Sequence, residues 1–297
     1  MDDQEWLAER FEEHRTRLRA VAYRMLGSLS EADDAVQDSW LRLSRADTSD
    51  VKNLAAWLTT VVARVSLNML RSRHSRDEES LDVHVPDPIV SRSDGTDPEH
   101  EALLADSLGL ALLVVLETLA PAERLAFVLH DMFAVPFDQI APIVERSPEA
   151  ARQLASRARR RVRAGAPAPE ADLTVQWEVV DAFLAAARDG NFDALLAVLD
   201  PDVVLRADGG LASMSDRVQG AEAVAGRATM FSRGGLRRHR ALINGAAGLL
   251  ATRDGEVFSV LGITVRGAKI VEINILADPI RLRKLELSGA PAGARQT

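Results

Sequence analysis

Apolar residues return at helical spacing three times in the first quarter of the chain. Leu7, Phe11, Leu18, Ala22 and Met25 make one stripe, and Gly27 ends it. Val36, Trp40 and Leu43 make a second, on a helix for which Ser30 is the expected N-cap and Asp33 the reach-back residue. Leu54, Leu58, Val61, Val65 and Met69 make a third, starting near Asn53. Three amphipathic helices in succession predict a bundle over residues 1–76.

The periodicity vanishes between His74 and Glu101. Acidic residues accumulate there with Pro86, Pro88 and Pro98, which predicts an extended, mobile linker over 77–101. Helical spacing returns over 102–165. Pro121 suits a first turn, Phe137 to Ala141 form a short helix, and Glu145-Arg146-Ser147 a turn. Pro148 then opens a long helix, with Ser147 as its N-cap, that ends at Gly165.

A third segment, 172–287, changes character. Helices carrying Val179, Phe183 and Ala187, then Leu195 and Leu199, come first. Strands are expected at 203–207, 236–243, 248–252, 257–265 and 270–276, with Asp254-Gly255 and Arg266-Gly267 as hairpin turns. This order predicts a meandering antiparallel sheet curled into an α+β half-barrel. Residues 288–297 read as a disordered tail. The fold class is therefore multidomain: two all-α domains, a helical bundle and a helix-turn-helix, followed by an α+β cone.

The short helix, tight turn and arginine-rich helix of 137–163 form a helix-turn-helix pattern, whose second helix enters a major groove. Glu149, Arg152 and Gln153 sit near its N-terminus, where base edges are read. Arg157, Arg160 and Arg161 continue the basic face toward the phosphates. Ala150, Ala151, Ala155 and Ala158 are small, and let the helix lie close to DNA. In the first bundle, Asp34, Gln37, Asp38 and Leu41 share one face, an apolar residue within an acidic surface. The third helix ends in Arg64, Asn68, Arg71, Arg73 and Arg76, a basic surface suited to phosphates and bases.

Charge and composition adjust this picture. The net charge of -8 argues against nucleic-acid binding as a total, but the basic residues are clustered. The absence of cysteine excludes disulfides, thiolate metal sites and cysteine nucleophiles, and the scattered histidines point to no metal site and no cofactor. No targeting segment is visible, and no apolar run reaches the roughly 18 residues of a membrane span, so a cytoplasmic protein is expected.

These residues together resemble the extracytoplasmic-function group of σ70-type sigma factors. Ser30 to Leu43 is similar to the family's core-polymerase-binding helix. Ala56-Trp57-Leu58-Thr59-Thr60-Val61-Val62-Ala63-Arg64 opens what resembles its promoter-melting helix. Ala126 to Asp131 and the helix-turn-helix resemble its fourth region. The third segment resembles the SnoaL-like branch of NTF2-like folds, which a subgroup of these sigma factors carries. That subgroup's linker has Trp-Leu-Pro-Glu-Pro; here Pro86, Asp87 and Pro88 remain. Its extension has Asp-Gly-Gly-Gly, here Asp208, Gly209, Gly210 and then Leu211, and a late Asn-Pro-Asp-Lys, here reduced to Asp278-Pro279. The departures count against the subgroup's usual contact between linker and extension.

The resemblance implies binding to core RNA polymerase through Asp34, Gln37, Asp38 and Leu41. It implies opening of the minus-ten element by Arg64, Asn68, Arg71 and their neighbours, and reading of the minus-thirty-five element by Glu149, Arg152, Gln153 and Arg157. The third domain is then a regulator in cis, with room for a small ligand, and the protein is not an enzyme. Two other readings start from the same residues. An isomerase or cyclase would use pocket candidates Asp208, Trp177, His239 and Arg206, although the single tyrosine, Tyr23, lies in the first bundle. A ligand-responsive repressor would share the helix-turn-helix but has no use for the first bundle.

Overall fold

The computed structural model describes residues 3–46, 51, 53–76, 83–91, 109–166, 170, 172–209, 216–232 and 235–285. The chain forms two compact units: Met1–Ser80 with Val115–Gly165, and Leu81–Val114 with Ala166–Thr297.

The first unit begins with helices α1 (Asp3–Leu26), α2 (Leu29–Leu43) and α3 (Leu54–Arg76). Leu18, Met25, Leu26, Leu43, Leu58 and Leu67 fill their shared core, and the Phe11 and Trp40 rings meet at 5.2 Å. Gly27 turns the chain at φ 72°, a conformation that favours glycine. The N-cap of α2 is Ser28 rather than Ser30, accepting from the Glu31 amide. The correction has a simple cause: with Gly27 ending α1, Ser28 is the first capping residue the chain meets. Asp33 therefore does not reach back; it holds Arg19 of α1 at 2.7 Å. α3 starts beside Asn53 as expected, and the Asn53 side chain accepts from the Ala56 amide at 3.0 Å.

The rest of this unit is α5 (Pro121–Phe127), a π-helical turn (Val128–Met132), α6 (Phe137–Val144) and α7 (Pro148–Gly165); the preceding helix α4 (Leu110–Glu117) is divided between the units at Val114. Between α6 and α7, Glu145 adopts φ 56° and closes α6, and Ser147 accepts from the Ala150 amide at 3.2 Å. This is the turn the sequence predicts. His130 stacks on Phe137 at 3.9 Å and meets the Val135 carbonyl at 3.1 Å, fixing the π-turn against α6.

The second unit starts with the linker strand β1 (Val90–Ser91). It continues through α8 (Leu173–Asp189), α9 (Phe192–Val198), β2 (Leu199–Asp208), β3 (Asp216–Gln219) and α10 (Ala221–Ser232). β4 (Arg237–Ile243), β5 (Ala246–Arg253), β6 (Glu256–Arg266), β7 (Lys269–Leu276) and α11 (Pro279–Leu282) complete it. The strands form one sheet in the order β1-β4-β5-β6-β7-β2-β3. Its inner face packs on Val179, Val180 and Phe183 of α8 and Leu195 of α9. The expected α+β cone is present.

Three features differ from expectation. The sheet is mixed, because β2 pairs parallel with β7 after the chain has passed through β3, α10 and β4 to β6. β3 and α10, which carry weak apolar patterns, were not anticipated. The β6–β7 turn is Gly267-Ala268, both at positive φ, since Arg266 is paired with Lys269. Asp254-Gly255 turns as predicted, and Asn244-Gly245 makes a further two-residue turn between β4 and β5.

Candidate polymerase and nucleic-acid surfaces and the docked linker

On α2 the core side is Ala32, Ala35, Val36, Ser39 and Leu43. The remaining face carries Asp34, Gln37 and Leu41 exposed and Asp38 half-buried. Leu41 is 42% exposed although it is a large apolar side chain, so this helix presents a leucine within an acidic surface. Asp38 is tied to Arg42 at 2.9 Å, one turn on.

On α3, Arg64, Asn68 and Arg71 are all exposed on the side away from the Leu58, Val62 and Val65 core. Arg73 does not join them. Its guanidinium pairs with Glu31 of α2 and donates to the Leu26 carbonyl at 3.2 Å, fastening the end of α3 to the bundle. The Arg76 side chain lies outside the described residues.

α7 divides along its length. Ala151, Ala155 and Ala158 are buried in the packing of the helix-turn-helix, so three of the four small residues expected to approach DNA serve the core instead. Their spacing of four and three residues is the inward stripe of a helix. Glu149, Arg152, Gln153 and Arg160 are exposed. Arg152 stacks over the Phe137 ring at 5.4 Å. Arg157 and Arg161 reach back to the buried carboxylate of Glu123 on α5, at 2.7 and 3.0 Å. Arg159 pairs with Asp131 of the π-turn. The Glu149 carboxyl is held below the usual carboxylate range by its own backbone amide, by Ser147 and by Arg152.

Sequence comparison matches residues 10–76 to the family model Sigma-70 region 2 and residues 109–162 to Sigma-70, region 4. The ECF RNA polymerase sigma factor SigJ of Mycobacterium tuberculosis is 38% identical over 293 residues, 91% of this chain and 91% of that protein. The probable ECF RNA polymerase sigma factor SigI of the same species is 34% identical, over 93% of this chain and 95% of SigI. The chain belongs to the ECF RNA polymerase sigma factors. The crystal structure of M. tuberculosis SigJ superposes on this sigma factor with a TM-score of 0.77 at 34% identity. The match covers 94% of this chain and 99% of that one, so the likeness extends through the C-terminal unit.

In the second unit of this sigma factor the linker is not mobile where it is described. Residues 83–91 lie against the sheet, with Pro86, Asp87 and Pro88 buried. β1 pairs antiparallel with β4, and the Ile89 amide donates to the Asn244 side chain at 3.1 Å while the Asn244 amide donates to the Ile89 carbonyl at 2.9 Å. The Val85 amide donates to Asp208 at 3.0 Å. Arg281 then joins the two partners: it donates to Asp208 at 2.7 Å, to Asp87 at 2.9 Å and to the Val85 carbonyl at 2.6 Å. Asp278 caps α11 by accepting from the Ile280 and Arg281 amides, which fixes the helix that carries Arg281; Pro279 is its first residue. Gly209 is buried beside Asp208, and Gly210 lies outside the described residues.

The contact that the altered motifs counted against is therefore made. Arg281 was missed in the sequence, and its signal was slight: a basic residue three positions after a capping aspartate. Outside the linker, Gly262 makes room for Leu110 on the outer face of the sheet; a Cβ there would come within 2.7 Å of it.

The pocket candidates for an enzymatic reading are dispersed. Asp208 serves the linker. Trp177 lies under Arg240 at 5.1 Å, and His239 meets Thr252 at 3.1 Å. Arg206 pairs with the buried Glu272 at 2.7 Å, and burial pushes that carboxyl up while Arg206 and Asn274 pull it down. Among the described residues no group of three or more His, Asp or Glu is placed to hold a metal ion, and no helix is long and apolar enough to cross a membrane.

Proposed function

We propose that this sigma factor docks on core RNA polymerase through Asp34, Gln37, Asp38 and Leu41. In this reading Arg64, Asn68 and Arg71, with Arg76 at the helix end, engage and open the minus-ten element, while Arg73 fastens that helix end to the bundle through Glu31. Glu149, Arg152, Gln153 and Arg160 read the minus-thirty-five element, while Arg157 and Arg161 set the angle of their helix through Glu123. Such a protein works in the cytoplasm, where the polymerase is. The observation that supports the docking surface most is Leu41, which stays exposed on a helix whose other large apolar residues are covered. An uncovered leucine ringed by acids suits a protein partner better than solvent.

The test is run-off transcription with sigma-free core polymerase, with the chain's own upstream DNA as template. Promoter-specific transcripts are expected from the native protein, and L41A combined with D38A should lose core binding. Binding of the template without any binding to core would favour the free-standing repressor instead.

The C-terminal unit acts in cis by gripping the linker at Asp87 and Val85 through Asp208 and Arg281. Its fold serves regulation rather than catalysis, because the four enzymatic candidates are committed to separate partners. Removing residues 172–297 should change promoter output; unchanged output would end the regulatory reading.

A further inference from the structure

The concave side of the β2–β7 sheet encloses a cavity of about 90 Å³ between α8, α10 and the strands. Phe183, Leu184, Leu249, Phe258, Leu261 and Ile275 make most of its wall. Two polar side chains interrupt it, Arg238 and Ser259. Arg238 faces the cavity for a register reason: it is paired with Ala251, which also lines the wall. Two residues along β4, Arg240 pairs with Asp181 of α8 and lies over the Trp177 ring. A further cation stands close by, since the Arg253 guanidinium lies over the Phe258 ring at 4.3 Å.

We infer that this cavity binds a compact hydrophobic monocarboxylate, with its apolar body against Phe183, Leu249 and Ile275 and its carboxylate on Arg238. The apolar wall selects the body of the ligand, and the charge selects its head. Arginine suits a carboxylate because its planar fork presents parallel donors, and its five N–H groups can serve an added acceptor beside those it already meets. Arg238 is half-buried, and burial lowers its pKa. The volume is smaller than the roughly 150 Å³ of a cavity that accepts benzene, which limits the ligand to roughly four or five carbons. This inference does not depend on promoter recognition, because it concerns binding to the protein alone.

The experiment is calorimetric titration of the full-length protein with pentanoate, 1-pentanol and pentylamine. Pentanoate is expected to bind once per chain and about tenfold more tightly than pentanol, with pentylamine weakest. R238Q should bring pentanoate to within about twofold of pentanol while pentanol binding persists, and R238K should keep part of the preference. Thermal melts of the variants check that they fold; if R238Q does not, R238K and the ligand series on the native protein decide. Saturable pentanoate binding no tighter than pentanol would overturn the charge selection. No saturable binding of any of the three would overturn the cavity as a binding site.

Discussion

Arginine dominates the basic residues of this protein, but individual arginines do different work. Arg64, Asn68, Arg71 and Arg160 face solvent, whereas Arg73, Arg157 and Arg161 are held by carboxylates of neighbouring helices. The difference can be measured. E123A would strand two guanidiniums and empty a buried site, so it should destabilise the first unit by about 1–2 kcal/mol, discounted because both arginines are half-exposed. Chemical denaturation reads this directly, and loss of minus-thirty-five binding should accompany it. R160A should instead leave stability within about 0.5 kcal/mol of the native protein and weaken promoter binding. An electrophoretic shift at two salt concentrations would show a shallower salt dependence, as expected for a lost phosphate contact. Substantial destabilisation by R160A would contradict its place on the open face.

At the scale of elements, the linker is the clearest case. Strand β1 has two residues, too few to hold itself in a sheet, and it is secured by Asn244 and by the Arg281 network instead. Arg281, Asp87 and Asp208 are all largely buried, so deleting one partner leaves the others uncompensated. R281A is expected to cost about 3 kcal/mol of local stability. Hydrogen exchange at the Val85 and Ile89 amides should then rise about a hundredfold or more, while amides in β5 and β6 stay protected. Equal acceleration across the sheet would mean that Arg281 holds the whole unit and not the linker in particular.

At the scale of the molecule, the first unit joins the two sigma regions directly. Arg124 of α5 is fully enclosed and donates to the Arg24 carbonyl of α1 at 3.1 Å; burial lowers its pKa to about 10. Phe133 sits under Arg17 and Arg24 of α1, at 5.8 and 5.1 Å. By their names the promoter elements are some 25 base pairs apart, roughly 85 Å along B-form DNA. Regions packed together cannot reach both, so the first unit is expected to open when core polymerase binds. Fluorescence energy transfer between labels on α2 and α7 should fall on adding core. F133A should lower the starting transfer by weakening the closed form. Transfer that stays high in an actively transcribing complex would rule out opening.

Much of the fold and part of the site were legible in the sequence. Helical periodicity placed α1 to α3 and the helix-turn-helix, because a helix that buries one stripe needs apolar residues at that spacing whatever it packs against. Turn chemistry placed Ser147 and Asp254-Gly255 for a similarly local reason, since those conformations are settled within a few residues. Exposure of Arg64 and Asn68 followed from lying off the apolar stripe, and that of Asp34, Gln37 and Leu41 from a face opposed to its stripe only in part. What tertiary structure decided was pairing across long separations. The parallel β2–β7 join, the commitment of Arg157 and Arg161 to Glu123, the burial of Ala151, Ala155 and Ala158, and the grip of Arg281 on Asp87 all fall in this class. An arginine looks the same in a sequence whether it meets phosphate, a buried carboxylate or water. Which of these it meets depends on residues tens or hundreds of positions away, brought near by packing that no local pattern encodes.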